Sequence, residues 1–395
     1  KKKKIRMEDS DSSIIKSFQG IKGVESISLM EESNKPQEID VDSDEEEIPD
    51  FVGFALSQIC PKKRGTVRSK HRKVLSEYYE LKKEQTTNEQ DIFNGMKSVY
   101  DTMHGTEGDL LGYSFNREDK LVHEKTGEGF KFIDQIHYDL LALAVTKYVQ
   151  ECLLSMGLQQ IEIPFMRHHP GRGSKWSFIF ASPDVFTNER LVILLVGSGK
   201  IQAGLWAQSL CINESLKSGS VIPYVEQIQE RGWSVLILNP NINEGVPIAS
   251  SPEAHLDYIW EHVVKETPPN TKIALVAHSY GGVCLMSLFQ TQLDSVLSKL
   301  KAVAFTDSVH HINNDTYFRI PAKARELIKQ SSVNWQASIE PLDTVLHEFN
   351  EYTGCKCVSA GTTSHPGTNA AAMESILKYF NKNFQSNDFK NVEQK

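Results

Sequence analysis

One segment constrains this chain more than any other: Lys272-Ile-Ala-Leu-Val-Ala-His-Ser-Tyr-Gly-Gly282. Its first half is a short run of branched and small apolar side chains, which reads as a buried strand. The run enters Ala277-His278-Ser279-Tyr280-Gly281, a small-x-Ser-x-small pattern, and continues into Val283-Cys-Leu-Met-Ser-Leu-Phe289, which reads as a helix. A strand that passes straight into a helix bends within about one residue, so the positions two before and two after the bend must be small. The residue at the bend then projects from the edge of a sheet, with the positive end of the following helix behind it. The pentapeptide alone is weak evidence. The strand before it, the helix after it and the second glycine at 282 make it specific.

Such a bend needs a sheet around it, and the flanking sequence supplies one. Strands are expected at 160–165, 178–181, 191–196, 234–239, 272–278, 301–307 and 356–360. Helices are expected at 203–210, 222–231, 252–264, 282–290, 322–329 and 370–380. Apolar runs alternating with amphipathic helices predict a parallel sheet covered on both faces. A β-hairpin over 113–132 and a long helix over 137–156, stopped at Gly157, precede it. The expected class is α/β, specifically an α/β-hydrolase-like fold: a mostly parallel sheet with helices on both faces, preceded by the hairpin and a largely disordered N-terminal region.

The chain has 395 residues, 39% hydrophobic and 24% charged, enough for one large domain plus additional sequence. The domain is expected over 108–385, with a polar tail at 386–395. Residues 1–90 are rich in Ser, Glu, Asp and Lys and lack sustained apolar periodicity, so disorder is expected there. Within them, Val74, Leu75, Tyr78 and Leu81 fall at helical spacing, and a short charged helix is expected over 73–84. No stretch approaches the roughly 18 apolar residues of a membrane span, and no secretory leader is apparent, so no membrane association is expected. A net charge of −8 argues against direct nucleic-acid binding. The six cysteines form no CxxC pair with partner histidines, so neither a metal nor another cofactor is expected.

A nucleophilic serine needs a base, and the base needs a group to orient it. In this fold the chain order is serine, acid, histidine, the latter two at the ends of later strands. Asp307 ends the strand after Ser279, and His365 lies just past the last strand. His310 and His311 are rival bases, and Asp343 is the rival acid. The oxyanion hole should pair the backbone N–H of Tyr280 with Ser198 and Gly199 from the loop Val196-Gly-Ser-Gly-Lys200. A phosphate-binding reading of that loop lacks the required Gly-x4-Gly-Lys-Ser/Thr spacing. Each residue also has a plain structural reading: Ser279 as the small residue of a bend, Asp307 as a cap, His365 as a satisfied structural histidine.

In order, the motifs Val-Gly-Ser-Gly, Leu-Asn-Pro-Asn, Ala-His-Ser-Tyr-Gly-Gly, Thr-Asp-Ser-Val-His and Val-Ser-Ala-Gly-Thr span Leu111 to Phe380 in outline. On them the chain resembles the Arb2 (argonaute-binding protein) domain family, in particular its vertebrate cotranscriptional-regulator branch. The resemblance implies argonaute-type, chromatin and splicing partners, with roles in RNA-directed heterochromatin formation and alternative splicing. It also places the family's serine, acid and histidine at Ser279, Asp307 and His365. One departure bears on activity. Where the resemblance leads one to expect His-Gly-Ser-Gly, this chain has Val196-Gly-Ser-Gly, which removes a histidine that steadies the oxyanion loop but keeps the backbone donors.

The N-terminal region carries two further signals. Lys62, Lys63 and Arg64, followed by Arg68, Lys70, Arg72 and Lys73, resemble a nuclear-import signal, against the plainer reading of a solvated basic stretch. The expected compartment is the nucleus, with the cytoplasm second. Ile39 to Glu47 places alternating apolar residues before an acidic run, and could add as a strand to a SUMO-type partner. Ordinary acidic disorder is the alternative. Three functions follow: a nuclear adaptor on a hydrolase-like scaffold, a working serine hydrolase for an ester, thioester or amide, and a module that binds a small ligand in the same pocket.

Overall fold

A computed structural model describes residues 110–133, 135–165, 176–243, 245–246, 249–312, 320–347 and 350–385. The expected disorder over 1–90, the helix over 73–84, the basic run, the Ile39–Glu47 segment and the tail lie outside the described residues. A hairpin of β1 (Tyr113–Phe115) and β2 (Leu121–His123) leads into α1 (Gln135–Ser155). Gly157, at φ +87°, ends the turn that follows that helix. The hairpin and α1 close a satellite core around Leu111, Tyr113, Leu140, Leu141 and Val145.

The main sheet has eight strands in the order β10-β9-β8-β7-β5-β6-β4-β3. These are β3 (Gln159–Ile163), β4 (Ser177–Ala181), β5 (Arg190–Leu195), β6 (Ser234–Ile237), β7 (Lys272–His278), β8 (Leu300–Thr306), β9 (Ser332–Gln336) and β10 (Lys356–Ser359). The β3–β4 and β4–β6 pairings are antiparallel, and the remaining pairings in the sheet are parallel. The mostly parallel α/β-hydrolase-type architecture expected from the sequence is therefore present.

Alternating side chains serve two cores. Leu191, Ile193 and Leu195 of β5, with Leu275 and Ala277 of β7, face α5 (Pro252–Ile259), α6 (Gly281–Thr291) and α8 (Ala322–Ser331). Val192, Leu194 and Val276 face α4 (Ile222–Glu230) and α10 (Thr368–Gln385). Burial on both faces is why these strands read as continuous apolar runs.

Several elements depart from expectation. The helix expected over 203–210 forms only as α2 (Gln208–Asn213), followed by α3 (Leu216–Gly219). Gly204 sits at φ +107° and Leu205 bridges Ser220, so 203–207 is tied across rather than coiled. The helix over 252–264 is α5 followed by a wider π-type turn at Trp260–Val264. Strand β9 and the helices α7 (Leu293–Lys299) and α9 (Asn350–Thr353) were not anticipated. Among the described residues, no helix is long and apolar enough to cross a membrane.

Candidate active site

The bend at Ser279 is real in its backbone: φ is +51°, a left-handed value that a non-glycine residue seldom adopts. It is clamped on both sides. Ser279 N–H donates to Thr306 O on β8 at 3.0 Å, while Ser279 O accepts from Ser308 Oγ at 3.0 Å and from Gly282 N–H and Val309 N–H at 3.3 Å. The size rule has a physical source in the neighbours. A methyl at Gly281 would lie 3.1 Å from Leu195 O, and one at Gly282 would overlap Ser308 Oγ.

Asp307 follows β8, also at positive φ (+44°). Its N–H donates to Trp335 O at 2.8 Å. One carboxylate oxygen accepts Ala337 N–H at 3.2 Å, and the other meets His365 Nδ1 at 2.6 Å. The same loop holds His365 from the other end, because Thr368 Oγ1, at the start of α10, donates to His365 O at 2.8 Å. With Nδ1 on the carboxylate, Nε2 is the ring nitrogen left for other chemistry. The structure thus brings Asp307 and His365 together. The Ser279 hydroxyl makes no hydrogen bond among the described residues, so the serine–histidine contact is not closed.

The rival groups are committed elsewhere. His310 is buried against Phe305, with Nδ1 on Ser308 Oγ (2.8 Å) and Nε2 on Thr353 O (3.1 Å); burial lowers its pKa to about 4. His311 packs edge-on to Tyr352, and its pKa is lowered by burial. Asp343 accepts from Trp335 Nε1 at 2.9 Å and Ser375 Oγ at 2.6 Å.

Gly197, in the loop after β5, lies against the bend: a methyl there would lie 2.9 Å from Ser279 Cβ and 3.5 Å from His278 Cδ2. That closeness leaves no room for a side chain at 197. Of the two loop amides named from the sequence, Gly199 N–H donates to Asn241 Oδ1 at 3.3 Å, and Ser198 N–H has no acceptor among the described residues. No helix begins directly after the loop, since α2 starts at Gln208, so the phosphate-loop reading has no structural counterpart.

Two asparagines of Leu-Asn-Pro-Asn hold this loop, a role the sequence reading did not assign them. Asn241 Nδ2 donates to Gly197 O at 2.8 Å and Ile201 O at 2.9 Å, and Asn239 Oδ1 accepts Ala203 N–H at 2.9 Å. Asn239 N–H in turn donates to His255 Nε2 at 3.1 Å.

Residues 106–244 and 242–342 match the Arb2 domain. The chain belongs to the Arb2 domain family. Ser279 and Asp307 fall inside the matched residues, and His365 lies past them. Mouse cotranscriptional regulator ARB2A is 32% identical over 347 residues, covering 71% of this chain and 80% of that protein. Human cotranscriptional regulator ARB2A is 31% identical with the same coverage. The human putative protein ARB2BP is 29% identical, covering 70% and 89%. Among solved structures, a bacterial heroin esterase is similar at 16% identity, covering 63% of this chain and 93% of that one, with a TM-score of 0.34. Within this Arb2 domain, Val196 is buried in the core beside Trp206 and Val276. The loop is fastened from Asn241, after β6, instead of by a histidine at 196.

Proposed function

We propose that this protein is a nuclear cotranscriptional regulator that acts through protein partners, on an α/β-hydrolase scaffold. Membership of the Arb2 family carries this reading, together with relatives whose names describe cotranscriptional regulators. Argonaute-type, chromatin and splicing proteins are the partners the family resemblance points to, and Ile39–Glu47 is the segment for a SUMO-type partner. Two measurements test it. A reporter fused to residues 55–75 concentrates in nuclei; uniform distribution removes the import signal. The full chain co-precipitates an argonaute-type protein from nuclear extract; failure with folded protein removes that partner.

The 2.6 Å contact between Asp307 and His365, beside a serine at a strained bend, favours a second reading, a working serine hydrolase. Ser279 Oγ attacks the carbonyl of an ester, thioester or amide, and His365 Nε2 takes its proton. Asp307 holds the opposite Nδ1–H and stabilises the imidazolium. Backbone N–H groups of Tyr280 and Ser198 receive the oxyanion. His365 returns the proton to the leaving group, and water then releases the acyl group from Ser279 by the same steps. Labelling by a fluorophosphonate that disappears in Ser279→Ala supports this reading. Silence of the folded protein, with partner binding intact in the same variant, leaves the regulator alone.

A further inference from the structure

Each member of the proposed triad has a buried neighbour in sequence, and those neighbours are bonded to one another. His278 precedes Ser279, Thr306 precedes Asp307, and Asn369 lies four residues after His365, as the second residue of α10. All three are buried. His278 Nδ1 lies 2.9 Å from Thr306 O and 3.2 Å from Thr306 Oγ1, and Thr306 Oγ1 donates to Asn369 Oδ1 at 2.7 Å. The directions are fixed by chemistry. A carbonyl can only accept, so His278 Nδ1 carries the proton. The Thr306 hydroxyl gives its single proton to Asn369, and can therefore only accept from His278. Tyr224 OH donates to Asn369 O at 2.9 Å, which anchors the far end.

The His278 ring packs beside His365 and beside the loop at Gly197. Its centroid lies 4.8 Å from that of His365, at 36° between planes, and its Cδ2 faces Gly197 of the oxyanion loop. Burial and the nearby His365 hold it neutral, with a pKa lowered to about 3. It therefore offers His365 an aromatic face and adds no repelling charge when His365 takes a proton.

We infer that Thr306 and Asn369 are positioning residues, and that their hydrogen bond ties the acid strand to the start of α10, directly after the His365 turn, so that the Asp307–His365 contact stays aligned over His278. The inference rests on the hydrolase reading for its consequence in rate, but its geometric content stands without that reading. None of the three residues is proposed to touch substrate.

The test uses the full chain with Thr306→Val, which keeps the shape and removes the hydroxyl, and Thr306→Ser, which keeps the hydroxyl. Asn369→Leu is the second break, for use if Thr306→Val does not fold by thermal melting. The first readout is the strongly downfield proton resonance of His365 Nδ1–H, assigned by its loss in His365→Ala. Wild type and Thr306→Ser show it at the same position, whereas Thr306→Val and Asn369→Leu shift it upfield or broaden it away. The second readout is the fluorophosphonate labelling rate at Ser279. It falls about tenfold or more in Thr306→Val and stays within about twofold in Thr306→Ser, since small misplacements of reacting groups cost that much. An unchanged resonance in folded Thr306→Val overturns the inference, whatever the labelling shows. If wild type itself never labels, the hydrolase reading has failed, and the resonance alone decides whether the tie positions His365.

Discussion

Replacing Gly282 with alanine puts one methyl on the second residue of α6, where it overlaps Ser308 Oγ and comes 3.0 Å from His310 Nδ1 and 3.2 Å from Ser308 Cβ. Neither neighbour can swing into solvent, because both are buried, and Ser308 Oγ donates to Ser279 O at 3.0 Å and accepts from His310 N–H at 3.4 Å. Ser308 must turn away and lose both bonds, at about 1 kcal/mol each. The remaining crowding against His310 adds about 1–2 kcal/mol. Alanine's better helix propensity returns up to about 1 kcal/mol. The net loss is about 2–3 kcal/mol, or about 3–5 °C in Tm for a domain of this size. A double-mutant cycle isolates the cause. Ser308→Ala alone loses the same two bonds, about 2 kcal/mol, but creates no overlap. Adding Gly282→Ala to it then costs about 1 kcal/mol or less, leaving a coupling of about 2 kcal/mol. Thermal and guanidinium unfolding of the four proteins measure this. A Gly282→Ala chain that melts with wild type, or penalties that simply add, would refute the claim that Ser308 holds the bend from behind.

Three further outcomes are expected. Asp307→Asn leaves the fold but presents His365 with the wrong hydrogen-bond partner, so Ser279 labelling slows by about a thousandfold or more, as read by a time course with the fluorophosphonate. Asn241→Ala frees Gly197 O, Ile201 O and Gly199 N–H at once; backbone exchange across 197–201 accelerates, and labelling falls about tenfold or more through the loosened oxyanion donors. Acid should destabilise the protein steeply: burial lowers His278 and His255 to about 3 and His310 to about 4, from 6.5. The unfolded chain binds these protons where the folded one does not, so their contribution is complete above about pH 6.5 and is lost as pH falls, by up to about 1.4 kcal/mol per pH unit for each group. A guanidinium midpoint that stays flat from pH 7 to pH 5 would contradict the burial of neutral imidazoles.

What the sequence makes legible follows from where its signals are local. Strand β7 was expected over 272–278 and forms over Lys272–His278, because a strand buried on both faces has an unbroken apolar run with a bend at its end. Strand β9, Ser332–Gln336, carries no such run: it starts at the residue after α8 ends, and its buried Asn334 reads as a surface residue. The serine, acid and histidine could be proposed from chain order alone, whereas the partners of each could not. Asn241 fastens a loop more than forty positions upstream, and Asn369 meets Thr306 across 63 positions. No periodicity encodes contacts of that kind. The helix expected over 203–210 failed for the opposite reason: its apolar pattern is helical, but Gly204 and the Leu205–Ser220 bridge take the backbone elsewhere.

The strain in the site bears on which of the two readings the molecule is built for. The positive φ of Ser279 follows from topology, since any residue at a strand-to-helix bend of this kind must adopt it. The positive φ of Asp307 does not, because a chain leaving a parallel strand has ordinary extended and helical conformations open to it. A non-glycine residue there costs on the order of 1 kcal/mol, and glycine would relieve it. What the strained backbone achieves is visible in the carboxylate: Oδ1 on Ala337 N–H and Oδ2 on His365 Nδ1 at 2.6 Å, with the amide still bonded to Trp335 O. A scaffold that only displays surfaces to partners gains nothing from aiming that carboxylate at an imidazole. The proton transfer proposed for His365 in the hydrolase reading calls for that aim, with Asp307 Oδ2 held on Nδ1.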